Sequence, residues 1–352
     1  MKVLKSLESA LAETGDDPVS RRTLEYIFEY LHHNCYLLKV QDGKNELMKL
    51  QSSETPPKAR KTLRKKVGNA KTMRVLGCIV KPFKTSTSVE WEKFVGQVKV
   101  KDGLYILNLT DALMLKKDRT VPWPILGTGK LEKYQGEMLP IFGGSSGEGY
   151  EDITIPNYDD IRVVLGYDTV GEAKSWDQKD EKAVFRGSST GCGRKADTNM
   201  RLKAAGLEYP WLDAGVTKLT KNLKFDPKHG LGVVDKVPLV PKKSFTEQAM
   251  SKYILNIDGN VAAYRLLTWM QTGSVIFKVK GQYTVWYEEK LVHRKTVIEI
   301  KEDLSDLAEQ YDWCLKNDAK CKKIAERAMK VSKKLLTLDE VNKCFRKKIG
   351  AH

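Results

Sequence analysis

The second half of the sequence alternates runs of strand length with runs of helix length, and this alternation restricts the fold more than any other feature. From Glu181 onward, KAVFRG and YILNIDG are predicted strands that each enter a glycine-containing turn. The helical runs DTNMRLKAAGL and VAAYRLLTWMQTG follow them, the second ending at Gly273. SVIFKV and TVIEI are further strands, and DLSDLAEQYDWCLKND is a helix that Asp303 or Ser305 could cap. This order is typical of a doubly wound, Rossmann-like α/β unit.

The first half of the sequence mixes helix and strand. CYLLKVQDGKNELMKL predicts two short strands about a turn at Asp42-Gly43. Continuous apolar runs at Met73–Val80, Leu104–Leu109 and Met138–Phe142 are typical of buried parallel strands. The Gly- and Ser-rich stretch 140–158 predicts a loop of the kind that carries binding groups. The residues spaced for one face of a helix are Leu24, Ile27, Phe28 and Leu31.

The length and this change of pattern predict two domains. A chain of 352 residues is long enough for two hydrophobic cores. We expect an N-terminal α/β domain over 1–175, with 1–70 as a helical and basic extension, and a Rossmann-like domain over 176–330. The remaining stretch, 331–352, is expected to form a helix that packs back on the N-terminal domain. No apolar run reaches the roughly 18 residues needed to span a bilayer, which excludes a membrane-spanning protein.

The chain carries a formal net charge of +16, which suggests an anionic partner. Nucleic acid, an anionic membrane surface and phosphate-bearing small molecules all remain open on charge alone. One basic run, Lys58–Arg74, contains no aromatic residue on which a base could stack, and this weakens a single-strand-binding interpretation. A second run follows Lys316, where the apolar spacing of Ile324, Ala328, Val331 and Leu335 predicts an amphipathic helix with a charged outer face.

The cysteines and the chain ends give a second set of expectations. The six cysteines include no CxxC pair, and the histidines lack metal-ligand spacing, so we expect no metal site. The N-terminal segment has acidic residues where a signal peptide has its apolar core, and the last residues are not a KDEL-type signal. The sequence therefore predicts a cytoplasmic protein with reduced thiols.

Two turns in the second half have the composition of phosphate-binding loops. Both follow a predicted strand and precede a predicted helix, the place where backbone N–H groups and the helix dipole favour an anion. Neither matches GxxxxGK[ST] or GxGxxG, which disfavours a Walker-type nucleoside triphosphatase and a dinucleotide oxidoreductase. One such turn alone is a weak signal, but two in one domain, both with arginine, favour phosphate binding. The first contains Arg186, Gly187, Ser188, Ser189, Thr190 and Arg194, and the second contains Asp258, Gly259, Ala262, Ala263 and Arg265.

At these residues the sequence resembles glycosyltransferase family 90, which includes the Rumi-type protein O-glucosyltransferases and the capsule-associated xylosyltransferases. The family element FRGSRTS, with an arginine shortly after it, is similar to the stretch from Phe185 to Thr190 with Arg194. The family element KYxxNxxGxxASxR is matched by Lys252, Tyr253, Asn256, Gly259, Ala262, Ala263 and Arg265. The likeness extends over 104–336, with Ser189 in place of a family arginine and Lys295-Thr296 in place of His-Tyr.

The resemblance implies a GT-B fold, in which two Rossmann-like domains face a cleft. It implies an inverting, metal-independent transfer of glucose or xylose from a UDP-sugar to a hydroxyl of a glycan or of a protein Ser or Thr, with no cofactor. The sequence agrees in lacking Asp-x-Asp, the motif with which metal-dependent glycosyltransferases hold a divalent ion. The donor would lie mainly on the C-terminal domain. The residues implied for donor binding are Arg186, Gly187, Ser188, Thr190, Arg194, Asp258, Gly259, Val261, Ala262, Ala263 and Arg265.

The resemblance also implies an acceptor side in the N-terminal domain. An inverting transfer needs a base to remove the proton of the acceptor hydroxyl. Asp111, after the run LYILNL, matches the family base, with Asp118 and Asp152 as reserve candidates; a plain helix cap is the other interpretation of Asp111. The family's EYHDIxxP loop is matched by Tyr150, Asp152, Ile155 and Pro156, which would shape the acceptor or sugar pocket.

The sequence also bears on the acceptor, on the source of the protein and on an alternative function. An intracellular glycan or protein acceptor and a viral or microbial source fit a chain without secretion signals. A protein that keeps this fold without catalysis, and binds nucleic acid or an anionic surface through Lys58–Arg74, is the alternative function.

Overall fold

The computed structural model describes residues 1–30, 35–50, 86–109, 113–119, 134–168, 174–191, 193–221, 224–226 and 228–351. The chain divides into two compact units. The first contains Met1–Leu165, Thr284–Trp286 and Asn342–His352, and the second contains Gly166–Tyr283 and Tyr287–Val341. No helix in these described ranges is both long and apolar enough to cross a membrane. The predicted strand Met73–Val80 and the basic run Lys58–Arg74 lie outside the described residues.

The first unit is built on a six-stranded mixed sheet in the order β1-β3-β2-β4-β5-β7. β2 pairs antiparallel with β3 and β4, whereas β4, β5 and β7 pair in parallel. The predicted parallel strands over 104–109 and 138–142 are therefore confirmed as β4 and β5, with β5 beginning three residues later than expected. The strands of this unit are β1 (Lys2–Leu4), β2 (Cys35–Gln41), β3 (Lys44–Leu50), β4 (Gly103–Asn108), β5 (Ile141–Gly143), β6 (Ser146–Gly147) and β7 (Ile153–Thr154).

The turn between β2 and β3 confirms the predicted hairpin. Asp42 and Gly43 have φ values of 51° and 69°, as the two central residues of a type I′ turn require. The carboxylate of Asp102 accepts hydrogen bonds from both of their N–H groups, at 2.9 and 3.2 Å. Gln41 pairs with Lys44 across the two-residue turn, and the turn therefore sets the register of the whole hairpin.

Helices cover the sheet of the first unit. They are α1 (Leu7–Thr14), α2 (Pro18–Tyr30), α3 (Ser86–Val95) and α4 (Tyr158–Val164). Leu24 and Ile27 of α2 are buried in the core and Phe28 packs against it, which confirms the predicted helix face; Leu31 lies outside the described residues. α4 begins with a capping box, in which Asn157 and Asp160 exchange side-chain and backbone hydrogen bonds.

The second unit contains the predicted doubly wound sheet. Its five strands are all parallel and lie in the order β15-β13-β12-β8-β9. Numbered within the unit, this is the order 2-1-3-4-5, one of the two common doubly wound arrangements. The strands are β8 (Asp180–Ser188), β9 (Leu212–Lys218), β12 (Ser251–Asn256), β13 (Val275–Val279) and β15 (Ile298–Ile300), with β10 (Lys224–Asp226), β11 (Gly230–Gly232) and β14 (Tyr283–Thr284) outside this sheet.

Alternate residues of these strands form the core of the second unit. Tyr253 and Leu255 of β12 and Phe277 of β13 point to one face, where residues of two long helices meet them. The helices of this half of the chain are α5 (Met200–Ala205), α6 (Phe245–Ala249), α7 (Leu266–Met270), α8 (Leu307–Lys316), α9 (Asp318–Leu335) and α10 (Leu338–Gly350), the last of which belongs to the first unit from Asn342 onward. α9 buries Ile324, Ala328 and Leu335 beneath its lysines, and Val331 is half-buried, so the predicted amphipathic helix is confirmed.

The predicted cap of α8 is wrong. The helix begins at Leu307 after Asp306, and no side chain caps it. The carboxylate of Asp303 accepts instead from the N–H of Ser305 at 3.0 Å, forming a local turn that competes with the helix. The intervening Leu304 has a φ of 62°, which breaks helical geometry before Asp306.

Candidate functional site

Two neighbouring strands of the second unit end where the winding of the sheet changes direction. β8 lies between β9 and β12. From β8 the chain continues to β9 at one edge of the sheet, and it then returns to β12 and continues through β13 to β15 at the other edge. In open α/β sheets, ligands bind outside the carboxyl ends of the strands at this switch point. The first turn, residues 189–191 and 193–199, follows β8, and the second turn, residues 257–265, follows β12. The fold therefore brings both predicted phosphate turns to the place where its topology favours a ligand.

Glycine and asparagine give the first turn its shape. A Cβ atom on Gly187 would lie 2.8 Å from the ring of Phe185, so the chain leaves β8 in a space that admits only glycine without a shift. Gly191 has a φ of 119°, and its N–H donates to Asn260 Oδ1 in the second turn at 3.2 Å. Asn199 caps α5 by accepting two N–H groups of that helix. The first turn is thus tied both to its own helix and to the second turn.

Arg201 joins the two turns, and the sequence analysis did not identify it. Its Nη1 donates to the carbonyl of Ser188 at 3.1 Å and to the Thr190 hydroxyl at 2.7 Å. Its Nε and Nη2 donate to the carbonyls of Asp258 and Ile257, both at 2.9 Å. The side chain is only 8% exposed, so the guanidinium charge is buried beneath both turns. The available signal was an arginine in the first turn of the helix that follows a Gly-rich loop.

The second turn is not helical, which corrects the expected start of α7. Asp258 Oδ1 accepts from the N–H of Ala263 at 3.0 Å, and the N–H of Gly259 donates to the carbonyl of Val261 at 2.9 Å. These local bonds compete with helical ones, so α7 begins only at Leu266. The residues predicted to lie in the first turns of this helix precede it instead: Ala262, Ala263 and Arg265.

This conformation leaves hydrogen-bond donors available. Within the described part of the chain, the backbone N–H groups of Asn260, Val261 and Ala262 have no hydrogen-bond partner. Successive N–H groups in such a turn can form a concave site for an anion. Thr190, on the first turn, is half-buried and carries a hydroxyl beside them. The two turns therefore combine backbone donors with a hydroxyl above a buried guanidinium.

Asp258 also borders a small recess of about 80 Å³ at these strand ends. Burial raises the pKa of Asp258 to about 6, although the Lys278 ammonium and the N–H of Ala263 oppose the shift. A Cβ atom on Gly281 would lie 2.5 Å from Asp258 Oδ2, so glycine there leaves room for the carboxylate. A carboxylate in this position can accept from a ligand hydroxyl. Other residues that line the recess are Gly191, Thr198, Asn199, Gly259, Gln282 and Tyr283.

Arg186, a predicted donor-site arginine, binds oxygen atoms of the protein itself. Its Nε donates to the carbonyl of Pro241 at 3.2 Å, and its Nη1 donates to the carbonyl of Asp213 at 2.7 Å. The guanidinium also pairs with the Asp213 carboxylate. Although burial opposes the shift, Lys243 and Arg186 hold the pKa of Asp213 below its ordinary value. In this structure Arg186 joins β8 to β9 and to the segment after it.

The other two predicted donor-site arginines, Arg194 and Arg265, lie on the first and the second turn. Arg194 donates from Nε to the carbonyl of Val233 at 3.0 Å and from Nη1 to the carbonyl of His229 at 2.8 Å. It therefore fixes the first turn to the hairpin of β10 and β11. Arg265 is exposed and lies with its guanidinium carbon 5.7 Å from the centre of the Trp269 ring. A role of these arginines at a diphosphate stays a prediction.

The predicted acceptor-side residues lie in the first unit and are buried: Tyr150, Asp152, Ile155 and Pro156. The segment that contains Tyr150 pairs with residues 115–117. The N–H of Glu151 donates to the carbonyl of Leu115, and the N–H of Lys117 donates to that of Gly149, both at 2.8 Å. These four side chains are therefore packed inside the first unit, next to the extended segment 115–117.

Asp152 binds the backbone of the segment that begins at Leu113. Its two carboxylate oxygens accept from the N–H groups of Met114 at 2.8 Å and Leu115 at 2.9 Å. Burial raises its pKa to about 7, although these N–H groups oppose the shift. Both oxygens are thus engaged by the backbone, which suits Asp152 to positioning the chain.

The predicted base, Asp111, lies outside the described residues. β4, the strand that precedes it, ends at Asn108 beside the ends of β5 and β7. The segment that Asp152 holds begins shortly after Asp111. Asp118, the other reserve candidate, is exposed. Within the described ranges, no group of three or more His, Cys, Asp or Glu side chains could hold a metal ion.

Comparison with known proteins relates this chain to viral and animal proteins. It is 29% identical over 305 residues to uncharacterized protein 179R of Invertebrate iridescent virus 6, covering 69% of this chain and 26% of that one. It is 30% identical over 251 residues to protein O-glucosyltransferase 2 of Danio rerio, covering 66% of this chain and 48% of that one. The chain therefore corresponds to about a quarter of the viral relative and about half of the zebrafish one.

A solved structure and a family model complete the comparison. The structure of Anabaena HepE in complex with UDP-glucose is 12% identical, covers 63% of this chain and 66% of that chain, and has a TM-score of 0.36. The model of glycosyl transferase family 90 matches residues 113–349. This stretch contains both turns at the switch point, Arg201 and the buried segment from Tyr150 to Pro156. Since the match covers more than half of the sequence and confirms the resemblance seen in its motifs, the chain belongs to glycosyl transferase family 90.

Proposed function

We propose that this protein is an inverting glycosyltransferase that moves glucose or xylose from a UDP-sugar to a hydroxyl of a glycan or of a protein Ser or Thr. Family membership and relatives named protein O-glucosyltransferase support sugar transfer. The observation that carries the donor site is the junction of two turns at the switch point of the sheet. There, the N–H groups of Asn260, Val261 and Ala262 have no hydrogen-bond partner within the described part of the chain, and the buried Arg201 donates to carbonyls beside both turns.

The diphosphate of the donor would lie against these N–H groups. When the bond between the sugar and UDP breaks, negative charge grows on the leaving phosphate oxygen. Backbone N–H groups that are already oriented stabilise this charge without reorganising, and the Arg201 guanidinium adds a fixed positive charge beneath them. This arrangement, together with a sequence that lacks Asp-x-Asp, supports a transfer that needs no metal ion.

The acceptor hydroxyl would be activated in the first unit by Asp111. In an inverting displacement, the acceptor oxygen bonds to the anomeric carbon while the bond to UDP breaks, and the acceptor proton passes to the base. Asp152 is less suited to this task because both of its oxygens accept backbone N–H groups. Its contacts to Met114 and Leu115 instead support a role in holding the chain that follows Asp111.

A thermal-shift panel tests the donor and the competing function together. UDP should raise the melting temperature more than GDP or ADP at equal concentration, because a ligand that binds only the folded state stabilises it. Duplex and single-stranded oligonucleotides should produce no shift. A shift with oligonucleotides alone, and one that salt abolishes, would instead support the nucleic-acid-binding alternative.

That alternative has one described feature in its favour. Lys320, Lys323, Arg327, Lys330 and Lys334 are exposed and recur at helical spacing along one face of α9. A solvated helix face explains the same pattern, since this face is opposite the buried one. The donor interpretation is preferred because it accounts for a specific constellation of side chains and backbone groups.

A further inference from the structure

A second buried cation lies under the first turn. Lys224, on the short strand β10, is 0% exposed. Its ammonium group donates to the carbonyl of Ser189 at 2.9 Å and to the carbonyl of Gly191 at 2.7 Å. The same Ser189 carbonyl also accepts from the side-chain Nδ2 of Asn199, the cap of α5, at 3.4 Å. A buried ammonium is retained only where several oxygen atoms compensate it, so this position is built around a positive charge.

The contact with Lys224 fixes the direction of a peptide group. In a trans peptide, the C=O and the following N–H point in opposite directions. Because the carbonyl of Ser189 points inward to Lys224, the N–H of Thr190 points away from it. That N–H has no hydrogen-bond partner within the described part of the chain, and the Thr190 hydroxyl beside it accepts from Arg201. The contact with Lys224 thus holds the acceptor of this peptide on one side and leaves its N–H donor on the opposite side.

We infer that Lys224 is a positioning residue of the donor site, which orients the peptide between Ser189 and Thr190 so that its N–H faces the phosphate groups of the nucleotide. The inference rests on the proposed function, because it assumes that an anionic nucleotide binds at these turns. Lys224 does not touch the ligand; it acts through the backbone and through its buried charge. Its removal should therefore weaken the binding of phosphate groups more than that of the nucleoside.

The same unit provides a matched control. Lys179 is buried at the N-terminal ends of the strands, just before β8. Its ammonium donates to the carbonyls of Ala249 and Thr272 and to the hydroxyl of Ser274. Lys179→Met and Lys224→Met therefore remove the same chemical group from comparable buried surroundings, one before the start of β8 and the other beside the turn that follows it. Both substitutions should lower stability, but only Lys224→Met should affect the first turn.

The test measures the dissociation constants of UDP and uridine by titration calorimetry, below the melting temperature of every variant. Lys224→Met should weaken UDP binding about tenfold or more, because the N–H of Thr190 would no longer be held in position to donate to a charged phosphate oxygen, while uridine binding changes little. Lys179→Met should leave the ratio of UDP to uridine affinity unchanged. Lys224→Gln, which keeps a neutral donor, should fall between wild type and Lys224→Met and also serves if the methionine variant does not fold.

Each other outcome has a definite meaning. Equal loss of UDP affinity in Lys224→Met and Lys179→Met, or unchanged UDP affinity in the folded Lys224 variants, overturns the role of Lys224 and leaves the proposed function standing. A wild-type protein that binds no UDP overturns the proposed function, and this inference with it.

Discussion

Replacing Asp152 with asparagine tests whether this buried carboxylate holds the segment that follows the predicted base. In the native protein its two oxygens accept from the N–H groups of Met114 and Leu115. Asparagine has the same shape, but its amide nitrogen cannot accept, so one of these N–H groups loses its partner. A buried donor left unsatisfied costs about 1–3 kcal/mol. Asp152→Asn should therefore destabilise the protein by about this amount at pH 5.

The size of the effect should depend on pH. Burial raises the pKa of Asp152 to about 7 from an ordinary value of 3.8. Between these values the folded state binds more protons than the unfolded state, so this group's contribution to stability is present at low pH and is lost as pH rises through 7. A shift of this size corresponds to roughly 4 kcal/mol over the whole window. Since asparagine does not titrate, the destabilisation by Asp152→Asn should shrink or change sign by pH 8.

Urea unfolding followed by circular dichroism at pH 5 and pH 8 provides the measurement. Asp118→Asn is the control, because Asp118 is an exposed carboxylate in the same segment. Its effect on the free energy of unfolding should stay within about 0.5 kcal/mol at both pH values. An Asp152→Asn variant as stable as wild type at pH 5 would refute the hydrogen-bonding argument. A destabilisation that is equal at both pH values would refute the raised pKa.

Three further predictions concern the proposed reaction. Asp111→Asn should abolish transfer and leave UDP affinity unchanged, as single-turnover assays and calorimetry can show; wild-type turnover would place the base elsewhere. Transfer from the UDP-sugar should persist in EDTA, and loss of activity that added Mg²⁺ or Mn²⁺ restores would refute metal independence. Arg186→Gln should lower the free energy of unfolding by about 1–3 kcal/mol, because it breaks the bonds to Asp213 and Pro241; a stable variant with weakened UDP binding would instead support direct contact with the donor.

Features that depend on neighbouring residues could be predicted from the sequence. The hairpin at Asp42-Gly43 was predictable because a type I′ turn needs two residues that tolerate positive φ. The parallel sheet of the second unit followed from the alternation of apolar runs with helical periodicity, and the observed strand order adds the switch point. Both turns at this switch point, and the buried face of α9, were likewise visible as local patterns.

Features that depend on distant contacts could not be predicted. Arg201 binds the carbonyl of Asp258, 57 residues away, and Lys224 binds that of Ser189, 35 residues away. Their importance arises only when the fold brings these segments together. The late start of α7 has a local cause, but the helix propensity of the residues before Leu266 predicts an earlier start. It was the Asp258 side chain, bonded to the N–H of Ala263, that decided the outcome.

The buried cations change how the positive charge near the candidate site should be interpreted. Arg186, Arg194, Arg201 and Lys224 all donate to carbonyl oxygens of the protein itself. Loss of activity on replacing one of them would therefore not identify a contact with phosphate, because the variant also releases part of the backbone. The two effects differ in what they change. A lost phosphate contact lowers UDP affinity, and with it the ratio of UDP to uridine affinity, without affecting stability. Loss of a residue that orients donors at the site lowers both this ratio and the stability, whereas a backbone segment released away from the site lowers stability and leaves the ratio unchanged.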